Sequence, residues 1–395
     1  MNIGLFTDTY FPQINGVSTH VKTLKEGLEG IGHQVLVVTA DTETPVHHLE
    51  DGVLRCPAVK LKRIYGYGMA CIHSMDRQRI LNDFPLDVIH VHTEFGIGLS
   101  GEENARRLGV PLIYTLHTMW DQYIHYIAPY NFHSFAREMT RGYIGYFAGR
   151  ADEIIGPSMK VQGFLSICGS EKKVNVIPNA VELDQFSCEL VDLQAVGLLK
   201  KDYGLLPEDF VICFCGRLGK EKSVDVLLDF FAAYHRPNDN IKLLIVGEGP
   251  LHKALEEKAG RLGLTGSVVF TGGIVHENMR EVYACCNLYA TASKSEVNSV
   301  SMLEAMAMGL PVLHILDEEN PGQVTEGVNG YIFRTPEEFH SAIERFRNNR
   351  EEQVRLRAST IESARLAGQE TLARRVEAIY LRQLLLAGRG QKGVS

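Results

Sequence analysis

No stretch of 18 apolar residues occurs in the chain, so no segment is expected to span a bilayer as a helix. No charged and apolar leader precedes the first strand, "MNIGLF". The protein is therefore expected to stay in the cytoplasm, with any membrane contact peripheral. Positive charge is in deficit: 40 lysines and arginines face 48 aspartates and glutamates, for a net charge of −8. That balance excludes nucleic acid as a partner, because such affinity comes from cations on phosphates. The eight cysteines include no Cys-x-x-Cys pair. Reduced thiols, mostly buried, are the expectation. No Gly-x-Gly-x-x-Gly follows the first strand of either half, which argues against a dehydrogenase. Asp-x-Asp, a metal-bridging pair, is also missing.

What is present is a chain of 395 residues, 45% apolar, long enough for two domains. Both halves open alike. "MNIGLFTDTYFPQINGVSTHVKTLKEGLEGIGHQVLVVTAD" reads as strand, glycine-containing loop, helix from near Ser18, and strand. "DFVICFCGRLGKEKSVDVLLDFFAAYHRPNDNIKLLIVGEG" repeats that order, with Ser223 at the helix start. Repeated β-α-β units predict an α/β protein of two Rossmann-like, doubly wound parallel-sheet lobes facing across a cleft. The boundary is expected near residue 190, giving lobes 1–190 and 191–369. A last helix, from about Glu370 to Leu386 within 370–395, is expected to pack back on the first lobe.

Ligands of such sheets bind beyond the carboxyl ends of the strands. Three features there suit phosphate. Asn15-Gly16 opens a helix, where backbone N–H groups can approach an anion, although most such loops are only turns. Arg217 and Lys222 follow a buried strand in "GRLGKEK" and suit a diphosphate. In "SEVNSVSMLEAMAMGLPVL" a helix begins after Ser299, so Val300 and Ser301 offer free N–H groups. Glu296 precedes that helix, and Glu304 lies more than a turn inside it. Glu304 can bridge paired hydroxyls, as on a ribose, or sit on the helix surface; Glu296 can serve a ligand or the helix dipole. His90 and His92 share a strand face, with Glu94 beyond, and admit a metal site, a cleft lining or a packed core.

Arg217 with Lys222, Glu296 and Glu304 separated by seven residues, "EAMAMGLPV", "INGVSTHV", "HTM" at His117, "VIPNAVELDQF" and "VGEGP" together resemble the retaining nucleotide-sugar glycosyltransferases of family four. The resemblance covers nearly the whole chain. It implies the GT-B fold, an acceptor lobe followed by a nucleotide lobe, and hexose transfer from a nucleotide diphosphate sugar. It implies that Arg217 and Lys222 hold the donor diphosphate, that Gly16 lets the first lobe close on it, and that Glu304 takes the ribose. Glu296 would contact the sugar, His117 would sit beneath it, and the backbone of Ile274 and Val275 would read the base. Asp8, Ser18 and Thr19 would lie on the acceptor side. No cofactor or metal is expected, since fixed cations can meet the leaving diphosphate. Two departures, Val297-Asn298-Ser299 and "DEENPGQVTEGVNGYIF", stand where the family usually carries glycines.

"HTEFGIG" and "YTLHTMWDQYIHYI" are similar to the branch that glucosylates diacylglycerol, which implies UDP-glucose as donor and a lipid acceptor. The alternatives are the same transfer to a soluble sugar, polyol or thiol-sugar precursor, and a catalytically weak nucleotide-sugar-binding protein. Two stretches mix cations with aromatics, as an anionic membrane surface would require. One is Lys60, Lys62 and Arg63 with Tyr65, Tyr67 and Met69. The other is Arg137 and Arg141 with Phe135, Met139, Tyr143 and Phe147. Ordinary packing accounts for the same pattern.

Overall fold

The computed structural model describes residues 1–13, 15–60, 68–124, 130–236 and 239–388. Lys62, Arg63, Tyr65 and Tyr67, and the basic end of the chain, lie outside the described residues. The chain divides into two units, Met1–Ala180 with Gln369–Ser395, and Val181–Gly368. No helix among the described residues is long and apolar enough to cross a membrane.

In the first unit the strands are β1 (Asn2–Thr7), β2 (Gln34–Asp41), β3 (His48–Glu50), β4 (Val53–Lys60), β5 (Gly68–Ala70), β6 (Val88–Val91), β7 (Leu112–Thr115), β8 (Glu153–Gly156) and β9 (Val174–Val176). They run in the order β3-β4-β2-β1-β6-β7-β8-β9, with β5 also on β4. The central strands are covered on both faces, so they read as unbroken apolar runs without alternation. β3 and β5 join β4 antiparallel at the edge. These short additions escaped the sequence reading because three residues carry too little pattern.

The first helix, Gly16–Gly30, starts two residues before Ser18. Asn15 is its cap: Oδ1 accepts the N–H groups of Val17 and Ser18, each at 3.0 Å, and Ser18 closes a capping box. Leu24 and Leu28 pack in one core with Leu372, Ala373, Val376 and Tyr380 of the last helix, Gln369–Leu386. Gly27 permits this approach, since a Cβ there would stand 2.6 Å from the Gln369 carbonyl oxygen.

The second unit holds β10 (Phe210–Cys215), β11 (Ile241–Val246), β12 (Val268–Gly272), β13 (Leu288–Thr291), β14 (Val312–Ile315) and β15 (Gly330–Phe333). The order is β12-β11-β10-β13-β14-β15, parallel throughout. Ser223 precedes the helix Val224–Tyr234 as foreseen, but it is left-handed (φ 50°) and its side chain makes no capping bond.

The division falls at Ala180/Val181, not near 190. Val181 and Phe186 belong to the second unit's core, and the Val181 N–H donates to Ala367 O at 3.0 Å. The polar stretch that follows hides this from a reading by composition.

All eight cysteines are free thiols. Cys56, Cys168, Cys213, Cys285 and Cys286 are buried; Cys71 and Cys188 are exposed.

Candidate active site

Each sheet reverses its winding once, between β1 and β6 in the first unit and between β10 and β13 in the second. At such a point adjacent strand-end loops turn opposite ways and leave a crevice. Most of the residues singled out from the sequence follow these four strands; His117 follows β7, and Ile274 and Val275 follow β12.

In the second unit, Arg217 and Lys222 stand on the loop after β10. That loop is seated by glycines of the neighbouring "VGEGP" loop. A Cβ at Gly247 would meet Gly216 O at 2.0 Å, and one at Gly249 would meet Leu218 O at 2.5 Å. Lys222 Nζ bonds Glu296 Oε1 at 2.6 Å, joining the β10 loop to the β13 loop. Burial pushes the Glu296 carboxyl up, but the Lys222 ammonium outweighs it, helped by His314 and Ser293, and leaves it below the usual range. Burial holds Arg217 below its ordinary value, against the opposing Glu221 carboxylate 3.9 Å away.

The helix Val300–Ala307 begins beside them. Ser299 caps it by accepting the Met302 N–H at 3.4 Å. The N–H groups of Val300 and Ser301 therefore stay at the open end of the helix, where an anion is favoured. Ser301 Oγ donates to Cys215 O at 3.1 Å and meets the Tyr289 hydroxyl at 3.0 Å, tying this end to β10 and β13.

Glu304 is not on the helix surface: it is 5% exposed. His276 Nε2 meets one of its oxygens at 2.8 Å, and the Tyr283 hydroxyl donates to the other at 3.0 Å. Each carboxylate oxygen retains a second lone pair. Ile274 is partly buried against the second unit's core and Val275 is 57% exposed, just before His276.

Sequence reasoning passed over His276 and Tyr283, although His276 directly follows Val275. It also passed over Asn320 and Gln323. These replace the missing glycines as organisers of the loop. Asn320 Nδ2 donates to the carbonyls of Glu296 (2.8 Å) and Val297 (2.9 Å). Gln323 accepts the Ser299 N–H (2.8 Å) and donates to its carbonyl (2.7 Å).

In the first unit, the loop after β1 carries Asp8, which is buried and points inward. Its oxygens accept Thr93 Oγ1 (2.6 Å) and the N–H groups of Phe95 (3.2 Å) and Ile97 (2.8 Å), at the start of the helix Gly96–Leu108. Burial raises its pKa despite these donors. Asp8 thus anchors a helix, where an acceptor-side group was expected. Ser18 serves the capping box, and Thr19 is buried. Beside Gly16 the space is open, with no atom within 4 Å of a Cβ.

His117, half-buried on the loop after β7, places Nε2 3.1 Å from His92 Nδ1. Burial first, then His20 and His90, holds it well below the ordinary histidine value. His90 is a core residue, with ring nitrogens on Tyr380 and Thr115 hydroxyls, each at 2.7 Å. Glu94 receives the Tyr114 hydroxyl (2.5 Å) and Trp120 Nε1 (3.1 Å), and burial raises it to about 7.

The cation-aromatic stretch of the helix His133–Arg150 is half structural. Phe147 is buried, Tyr143 donates to the Glu94 carbonyl, and Arg141 pairs with Asp121 (Nε to Oδ2, 2.9 Å). Phe132, Phe135, Met139 and Tyr146 remain 59–67% exposed on the outer side.

This geometry sits within a known class. Residues 14–185 match Glycosyltransferase Family 4, and residues 198–365 match the Glycosyl transferases group 1 domain. An alpha-monoglucosyldiacylglycerol synthase of Streptococcus pneumoniae is 34% identical over 316 residues, 79% of this chain and 70% of the relative. A synthase of the same name from Acholeplasma laidlawii is 28% identical over 385 residues, covering 96% and 97%. Among solved structures, sucrose-phosphate synthase of Thermosynechococcus elongatus superposes with a TM-score of 0.76 at 19% identity, over 98% of this chain and 99% of that one. HepE of Anabaena, solved with UDP and glucose, superposes at 0.72 and 17%, over 96% and 99%. The fold and the relatives define a hexosyltransferase of the GT-B class. The chain belongs to Glycosyltransferase Family 4.

Proposed function

We propose that this enzyme transfers glucose from UDP-glucose to the free hydroxyl of diacylglycerol or a glycosyl-diacylglycerol, with retention of configuration. One observation carries the donor half: two cations, a helix start and two carboxylates gather at the switch point between β10 and β13. In this reading Arg217 and Lys222 receive the diphosphate, aided by the N–H groups of Val300 and Ser301. These charges leave no step that calls for a metal. Glu304, fixed by His276 and Tyr283, takes the ribose hydroxyls. The backbone of Ile274 and Val275 reads the base, and Glu296 contacts the hexose.

As the C1–O bond to phosphate breaks, the acceptor oxygen bonds C1 on the same face. The acceptor's hydroxyl proton passes to the departing phosphate oxygen. Glu296, kept anionic by Lys222, suits the positive charge growing at C1. The acceptor assignment is supported by the two synthases named above. The exposed row Phe132, Phe135, Met139 and Tyr146 suits contact with an anionic bilayer.

The test is transfer of label from UDP-[glucosyl]-labelled donor into organic-extractable lipid, with diacylglycerol supplied in anionic vesicles. An α-glucosyl lipid is expected. Label confined to soluble acceptors, or to free glucose, would overturn the lipid assignment.

A further inference from the structure

Four imidazoles, from His20, His90, His92 and His117, meet inside the first unit, and the donor site proposed above uses none of them. Packing accounts for His90, whose two nitrogens are hydrogen-bonded. It accounts for His117 and one nitrogen of His92 only through the bond that they share. His20 comes from the helix Gly16–Gly30, His92 from the end of β6 and His117 from the loop after β7. One ring nitrogen from each lies within 4.8 Å of the others. His20 and His117 have ring centroids 4.6 Å apart, and His92 Nδ1 is 3.1 Å from His117 Nε2.

His20 and His92 are 2% and 1% exposed. Yet His92 Nε2 has no hydrogen-bond partner among the described residues, and the partner of His20 is the side chain of Asn179. A buried polar atom left unbonded costs about 1–3 kcal/mol, so a core selected only for stability would not keep such nitrogens.

We propose that His20, His92 and His117 bind one divalent d-block cation, such as zinc, nickel or cobalt, with a fourth position open to water. Imidazole nitrogens suit these ions, and three of them with one open position is a recognised zinc arrangement. Zinc–nitrogen bonds of about 2.0–2.1 Å put tetrahedral ligand atoms about 3.4 Å apart. His92 Nδ1 and His117 Nε2, hydrogen-bonded to each other at 3.1 Å, would exchange that bond for the ion, and His20 would turn toward them.

Cobalt(II) titrated into the chelator-treated full chain tests the site. The expected result is visible d–d absorption saturating near one ion per chain, with a raised melting temperature. Both effects should vanish in His92→Ala and in His117→Ala, the latter being half-buried and so the safer variant for folding. No absorption, or a thiolate charge-transfer band that survives in His117→Ala, would overturn the site.

Discussion

Replacing Lys222 by alanine separates two roles that the structure combines in one ammonium. Lys222 neutralises Glu296 at 2.6 Å, and in the proposed mechanism it also receives the donor diphosphate. The side chains are 21% and 14% exposed, so the pair is mostly desolvated. Removing one partner of a fully buried pair costs about 3–5 kcal/mol; residual exposure lowers this to roughly 2–4 kcal/mol here. Burial then acts on Glu296 without its main opponent, and its carboxyl should rise above the usual range. In the double variant Lys222→Ala/Glu296→Gln the stranded charge is gone, so most of the stability should return. UDP affinity should not return, because a charge-assisted contact to phosphate is worth about 1.5–3 kcal/mol, or ten- to a hundredfold in Kd. Urea unfolding and calorimetric titration with UDP, both at pH 7, measure the two effects separately. A double variant that binds UDP as tightly as the parent would refute the phosphate role of Lys222.

Other outcomes follow from particular residues. Glu94 has its pKa raised from 4.5 to about 7, so the folded state holds its proton more tightly than the unfolded chain. Stability should therefore fall as pH rises from about 4.5 to about 7, by roughly 3 kcal/mol, and Glu94→Gln should abolish that slope in pH-dependent urea unfolding. His276→Ala removes one of the two groups orienting Glu304, and UDP binding should weaken about fivefold to fiftyfold by calorimetry while unfolding stays cooperative. Gly249→Ala drives a Cβ to 2.5 Å from Leu218 O; thermal melts should show a loss of about 1–3 kcal/mol together with weaker UDP binding. Glu296→Gln should stop transfer to acceptor but leave UDP affinity within a few-fold, as read by label transfer beside calorimetry.

Much of this was legible in the sequence because parallel strands buried on both faces are written as continuous apolar runs. β1, β2, β10 and β11 declare themselves in that way, and with them the loops that carry Arg217 and Lys222. The grouping of Glu296 with Lys222 needed only the strand order. The partners of Glu304 were not legible, since His276 and Tyr283 reach it from 28 and 21 residues away across a fold that spacing alone does not specify. "DEENPGQ" looked like lost glycines, because a side-chain amide that organises a distant backbone leaves no local pattern. The helix-anchoring role of Asp8 was equally hidden, because a strand-end aspartate announces no partner and Ile97 lies 89 residues on. The histidines of β6 behaved differently from each other although they alternate on one face, His90 satisfied by hydroxyls and His92 turned to His117.

The donor site is most directly tested by calorimetric titration of UDP-glucose into the full chain with a strong chelator present. The account predicts saturable binding of one UDP-glucose per chain that persists under chelation and weakens at least tenfold in Arg217→Ala. Binding that requires an added divalent ion, or that is unchanged in Arg217→Ala, would contradict it.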